Sequence, residues 1–406
     1  MNLNQGRNYV AIPGPSVVPD RVLQAMHRAS PNIYSGEIVG LVEGIIDDLK
    51  RVAGTVFHST IYIANGHGVW EASLSNTLNP GDRILVLSTG LFAKGWGEFA
   101  ERLGVDVEYI DFGMRAGTDA SIVHDRLKGD KSHLIKAVLA VQVDTATSVR
   151  NDIALLSEAV RSANHPALLM IDCIASLACE EFKMDGWGVD VMIAGSQKGL
   201  MTPPGLGFVF FSEKARNTCE GASLRTPYWD WNRRINPEEF YFYFCGTAPT
   251  HHLYGLREAL NMILAEGLQA VWHRHEVLAR AIWAAIERWG AEGQLEPNIA
   301  DPQSRSHAVT TFRAGPPHGT KLRNWTEDNA GLTLGIGLGM DTPDDPDSTG
   351  CFRLGHMGHL NPHMVLGALA SIESGFAAID YRRGSGAVEA AAEVCASEFG
   401  KPPAGD

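Results

Sequence analysis

Little in this chain would carry it to a nucleic acid or a membrane. In 406 residues no run of Lys and Arg exceeds two, and 34 basic against 47 acidic side chains leave a formal charge of -13. A polyanionic backbone or an anionic bilayer surface is therefore a poor partner. No apolar stretch approaches a membrane span, and the opening MNLNQGRNYVAIPGPS lacks the basic-then-apolar order of an export signal. Disulfide architecture is missing too. The six cysteines, at 173, 179, 219, 245, 351 and 395, form no C-x-x-C pair and no short framework, which points to free thiols in a reducing compartment, the cytoplasm.

What is present is the composition of a globular protein, 45% hydrophobic and 20% charged, with length for one large domain and a smaller one. From about 60 to 212, short apolar runs alternate with amphipathic segments: TIYIA (60–64), RILVLS (83–88), VDVEYID (105–111), IKAVLAVQ (135–142), ALLMID (167–172), VMIAG (191–195) and GFVFF (207–211). That rhythm predicts a three-layer α/β domain built on a mostly parallel seven-stranded sheet. After residue 250 two long segments keep apolar residues three and four apart, which predicts helices. HAVTTFRA, LTLGIGLG, CFRLGH and a helix from about 362 to 379 then suggest a small α+β domain. The expected division is an N-terminal segment 1–20, a large domain 21–255, a small domain 256–383 and a flexible tail 384–406, whose Ala, Gly, Ser, Glu and Pro content suggests fraying.

In parallel sheets ligands sit beyond the carboxyl ends of the strands, so polar residues directly after an apolar run carry most weight. Lys198, in GSQKGLMTPPGLGF, is one. A lysine on a turn is an ordinary surface residue. One seated at a strand end among small residues must be paired, deprotonated or covalently used, and a lowered amine pKa suits a Schiff base. Asp172 ends another run, 26 positions earlier. An aspartate there is commonly a helix cap, but it can also pair with a pyridinium nitrogen and keep a pyridoxal phosphate ring protonated as an electron sink. Asn65, Gly66, His67 and Gly68 lie between a strand and a helix, where backbone N-H groups and the helix dipole favour a phosphate. Glycine pairs also make plain turns, and the segment matches neither G-x-G-x-x-G nor G-x-x-x-x-G-K-[ST], which favours a small phosphate ester over a nucleotide.

Taken together with IPGPSVVP, ANGHGVWEAS, STGLFAKGWGE, VDTATSVRNDI, MIDCIAS, GSQKGLMTPPGLGF, TAPTHHLYGLREAL, EGLQAVWHRHEVLARA and FRLGHMGHLNP, the chain resembles the class V, fold type I aminotransferases of the alanine, serine or aspartate:glyoxylate group. The resemblance spans nearly the whole chain. It implies that Lys198 carries pyridoxal phosphate and moves the substrate's proton, and that Asp172 meets the ring nitrogen. Ile174 would pack on the ring and Phe92 would stack on it, where relatives often have tryptophan. Gly66, His67, Gly68 and Gln197 would form the phosphate cup, joined by Thr247 of a partner subunit in a homodimer. In VDTATSV, where relatives commonly read E-S/T-S-T-G-V, Thr145 and Thr147 are the alternatives for a cofactor hydroxyl. Phe244 stands where relatives have a phosphate-binding tyrosine. Arg353 would grip the α-carboxylate of a substrate, and Gly14 and Tyr34 would line its site.

The activity implied is amino transfer from a small L-amino acid to glyoxylate, giving glycine and a 2-oxo acid. L-Aspartate is the favoured donor, with oxaloacetate as product, and serine and alanine are alternatives. Tyr34, Arg313 and His356 are candidates for a second carboxylate. A carbon-sulfur lyase of the same fold would need a nucleophilic cysteine, and Cys351 is the one near Arg353. The histidines at 251, 252, 356, 359 and 363 lack accompanying ligands at metal spacing, so no metal is expected.

Overall fold

Residues 3–398 are described by the computed structural model. A short strand, β1 (Tyr9–Ala11), comes first. The main sheet is drawn from β2 (His58–Ala64), β3 (Arg83–Ser88), β4 (Asp106–Asp111), β5 (Ile135–Val141), β8 (Leu168–Asp172), β9 (Val191–Gly195) and β10 (Gly205–Phe211). Between them β6 (Val143–Asp144) and β7 (Val149–Arg150) form a two-residue hairpin. The order is β2-β10-β9-β8-β5-β3-β4, and only β10 runs antiparallel to its neighbours.

The sheet is buried on both faces, and the two-residue period of a strand divides its side chains between two cores. Leu85, Leu87, Leu169 and Ile171 face one, with the helices Glu37–Ala53 and Thr250–Glu266 over them. Ile84, Val86, Leu168 and Met170 face the other, covered by the helices Gly66–Ser75 and Leu91–Arg102. The chain leaves β3 toward β4 on one side and returns as β5 on the other. Such a reversal opens a crevice at the carboxyl ends of the strands.

A second sheet, β1-β13-β14-β12-β11, adds β11 (Glu296–Pro297), β12 (Val309–Arg313), β13 (Leu332–Ile336) and β14 (Cys351–Gly355) and carries the small domain's core. β1 joins it in parallel beside β13, with Val10 opposite Thr333.

Two expectations about domain limits are corrected. The helix Thr250–Glu266 packs Leu256, Leu260 and Ile263 into the large domain, so residues 256–266 do not belong to the small one. The changeover falls inside the next helix, Leu268–Gly290, whose Val271 joins the first core while Leu278 and Ile282 join the second. Nor is 384–398 a frayed tail: Ala387–Ser397 is a helix with Ala387 and Ala391 buried in the small domain's core. Arg280 and Glu398 bond across that contact at 3.3 Å. The remainder of that stretch, 399–406, lies outside the described residues. No helix among the described residues is long and apolar enough to cross a membrane.

Candidate active site

Two cavities meet at Lys198. The inner one, about 240 Å³, lies at the carboxyl ends of β2, β5, β8 and β9 and is lined by Asn65, Gly66, His67, Trp70, Phe92, Val141, Val143, Thr145, Asp172, Ile174, Ala175, Gln197 and Lys198. The outer one, about 340 Å³, lies between the domains, with Gly14, Phe92, Thr145, Lys198, Arg323 and Arg353 in its wall. Phe92, Thr145 and Lys198 face both.

Lys198 lies in the turn just after β9, and the N-terminal segment holds it there. Ser16 donates its N-H to the carbonyl of Gln197 at 2.9 Å and its hydroxyl to that of Lys198 at 2.7 Å. The Lys198 amine donates to the carbonyl of Pro13. Burial, and after it the nearby Arg353 guanidinium, pull the ammonium down to about 8, with the Asp172 carboxylate pulling the other way. Gly14 has φ +92°, and a Cβ there would overlap the Lys198 side chain. That position needs glycine for backbone and for space alike.

Asp172 is buried at 3% exposure at the end of β8. Its Oδ1 accepts the N-H of Ile174 at 2.7 Å and its Oδ2 the indole N-H of Trp70 at 2.6 Å. Burial nevertheless pushes the carboxyl up to about 7, because two donors do not replace the water it has lost. An adjacent cation would return it to the ionised form. Trp70 is the functional neighbour that the sequence concealed. It reads as one more apolar residue of a helix, and only its indole N-H, aimed across to the next layer, shows otherwise. Trp70 also makes edge contacts with Phe92 and Phe99, which build the aromatic wall.

At the amino end of Gly66–Ser75, Asn65 caps the helix by accepting the Gly68 N-H at 3.3 Å. Gly68 is thereby engaged and lines neither cavity, contrary to its expected place in the cup. The N-H groups of Gly66 and His67 have no hydrogen-bond acceptor among the described residues, so two helix-terminal donors face the inner cavity. Gly66 packs so near Ile174 that a Cβ would come within 2.6 Å of its Cδ1. The buried Oε1 of Gln197 is also unpartnered.

The two threonines of Asp144–Ser148 point in different directions. Thr145 faces the cavities, while the Thr147 hydroxyl donates to the Thr89 carbonyl at 3.1 Å and lines neither. Asp144 accepts the N-H of Phe92 at 2.8 Å and of Ala146 at 2.9 Å, and so fixes the start of Leu91–Arg102, the helix that presents Phe92. Thr247 is exposed and lines neither cavity of its own chain. Tyr34 stands 83% exposed, away from both cavities. Arg313 is turned to Glu296, and His356 is buried between Thr310 and the His307 carbonyl. None of those three lines either cavity of its own chain.

Arg353 projects from the middle of β14 and is 6% exposed. Its Nε donates to the Ile336 carbonyl at 2.6 Å and one terminal nitrogen to that of Thr145 at 2.8 Å. No carboxylate among the described residues lies within ion-pair distance. Burial lowers this guanidinium to about 10. A cation so placed, with one nitrogen left over a cavity, is arranged for an anion from outside.

The aminotransferase class-V family model matches residues 9–334. The chain belongs to the class V aminotransferases. It is 39% identical to the serine–glyoxylate aminotransferase of Methylorubrum extorquens, over 91% of this chain and 90% of that one. It is 34% identical to the L-aspartate–glyoxylate aminotransferase of Paracoccus denitrificans, over 90% of each. The crystal structure of pyridoxamine-pyruvate aminotransferase from Mesorhizobium loti superposes with a TM-score of 0.87 at 24% identity, covering 98% of this chain and 100% of that one, a likeness of fold. As a class V aminotransferase the protein is a pyridoxal phosphate enzyme with the type I fold.

The inner cavity fits that cofactor on its own chemistry. It offers an amine of lowered pKa, a buried carboxyl lacking a cation and two unpaired helix-terminal N-H groups. In this class V aminotransferase, Gly14→Ala should slow covalent capture of pyridoxal phosphate by the apoprotein about 100-fold, because it displaces the amine by an ångström or more. Stopped-flow absorbance measures that rate. Capture at the normal rate would mean that Lys198 has another way to sit.

Proposed function

We propose that this protein transfers an amino group from a small L-amino acid to glyoxylate, with L-aspartate as the donor and glycine and oxaloacetate as products. The observation that carries this reading is Lys198 at the junction of the two cavities, between Asp172 on one side and unpaired Arg353 on the other. Lys198 would hold pyridoxal phosphate covalently, with Asp172 at the ring nitrogen, Phe92 and Ile174 against the ring, and Gly66, His67, Gln197 and Thr145 at its polar groups. Thr247 would contribute from the partner subunit of a homodimer. When bound, the cofactor supplies the electron sink that lets a Cα-H bond break.

The chain's own residues supply the rest. Arg353 receives the α-carboxylate of donor and acceptor alike, which orients Cα toward Lys198. Lys198, once freed, takes the proton from Cα and returns it on the other side of the exchange. Asp172 stays ionised opposite the ring nitrogen. Since glyoxylate and every amino donor share the α-carboxylate, Arg353→Gln should lower kcat/KM for all of them by about 30- to 1,000-fold. An effect confined to one substrate would remove Arg353 from this role.

Serine as donor is favoured by the name of the Methylorubrum relative. The carbon-sulfur lyase reading loses its nucleophile: Cys351 is buried in β14 and lines neither cavity, and burial pushes Cys179 to about 12. The deciding experiment supplies aspartate, serine, alanine and cysteine in turn with glyoxylate and quantifies glycine, 2-oxo acid and sulfide. Sulfide release from cysteine matching amino transfer would overturn the assignment, and glycine formed from serine but not aspartate would replace the donor.

A further inference from the structure

A second unpaired arginine stands in the outer cavity. Arg323, on the helix His318–Ala330, is half-buried and lines the cavity with Arg353. It has no carboxylate within ion-pair distance among the described residues. Among the described residues its hydrogen-bond partner is the Leu334 carbonyl, which its Nε meets at 3.4 Å. Glu327, one turn along the same helix, also reaches the cavity wall, but it accepts a hydrogen bond from Thr333 at 3.3 Å and does not neutralise Arg323 at contact distance.

The two arginines are anchored in a related way. Arg323 donates to Leu334 and Arg353 to Ile336, both on β13. Carbonyls two residues apart on a strand point to the same edge and lie about 7 Å from one another. Both guanidiniums are thus tethered along one strand of the cavity wall, an arrangement that can present one to each end of a short dicarboxylate. Their like charges oppose each other across the cavity, and Arg323 contributes to holding the Arg353 cation below its ordinary value. A dianion between them relieves that repulsion, whereas serine or alanine offers a single carboxylate. Glyoxylate reaches only the first.

We propose that Arg323 receives the side-chain carboxylate of a dicarboxylic amino donor, so that Arg353 and Arg323 together select aspartate over serine. This rests on the aminotransferase reading above and assigns its donor. The residue is a specificity determinant: it makes no contact with Lys198 and is given no part in the proton transfer.

The test uses the enzyme loaded with pyridoxal phosphate and follows each half-reaction alone. In Arg323→Gln, kcat/KM for L-aspartate should fall about 100-fold, while that for L-serine and that of the pyridoxamine form with glyoxylate stay within about threefold. Arg323→Lys should recover part of the loss. Glu327→Gln should improve aspartate and leave serine alone. Succinate, titrated calorimetrically, should bind the wild-type holoenzyme and lose affinity in Arg323→Gln, with acetate unaffected. Equal losses for aspartate and serine, or unchanged aspartate kinetics and succinate affinity, would overturn the assignment. If glyoxylate proves to be no acceptor while succinate still depends on Arg323, the reaction falls and the dicarboxylate site stands.

Discussion

Lys198→Ala should lower amino transfer by on the order of 10⁴-fold or more, with the fold intact. The alanine removes at once the covalent anchor and the group that carries the proton, and no second amine lines either cavity. Lys198→Arg keeps a cation in place but cannot form the covalent link, and it should be as inactive. That pair of variants separates charge from chemistry. Single-turnover mixing with aspartate is the measurement, with bound cofactor quantified after denaturation. Retention of a tenth of the wild-type rate by either variant would end the case for Lys198. In the wild type, capture of pyridoxal phosphate by the apoprotein should accelerate as pH rises through about 8, where the buried ammonium gives up its proton.

Asp172→Asn should reduce kcat by about 10²- to 10⁴-fold, since an amide oxygen cannot hold a proton on the ring nitrogen against its tendency to leave. The apoprotein should respond in the opposite direction. Burial raises the folded-state carboxyl from 3.8 to about 7, so the folded state holds this proton more tightly than the unfolded chain. The associated stability is complete below pH 3.8 and is lost as pH rises to about 7. Asn never ionises. Without cofactor, therefore, the variant should be more stable than wild type at pH 8, by about 1–3 kcal/mol, and the advantage should shrink toward pH 4. Thermal unfolding of both apoproteins at pH 5 and 8 tests the sign. A destabilised variant at pH 8 would mean that water or a cation already compensates the carboxylate.

What the sequence disclosed was chemistry attached to strand ends. The seven apolar runs became the seven strands of the main sheet to within two residues at each end, since strands of a covered sheet draw on a narrow apolar and β-branched composition. Lys198, Asp172, Phe92, Gln197, Gly66 and His67 all follow such runs and do converge on one cavity. What stayed hidden depends on direction or on distant partners. Thr145 and Thr147 are equivalent in sequence, and only the turn between β6 and β7 sends one to the cavity and the other to Thr89. Arg323 sits in a polar helix with nothing local to distinguish it from a solvent-facing arginine. The last helix escaped because small alanines bury little area each, so its inner face gives a weak hydrophobic signal. Tyr34, offered for a second carboxylate, projects into solvent in this chain.

The union of β1 with β13 bears on how the molecule is made. Val10 finds its partner in Thr333, more than three hundred residues later in synthesis. At about 5–20 residues per second, a ribosome reaches that strand tens of seconds after the N-terminus has emerged. Until then Pro13, Gly14 and Ser16 lack the sheet that positions them, and the large domain can fold around an unsecured Lys198. Nascent chains arrested before β13 should therefore have a formed central sheet but a freely titrating lysine. Covalent cofactor uptake would mark the end of translation and not the folding of the domain that contains the lysine.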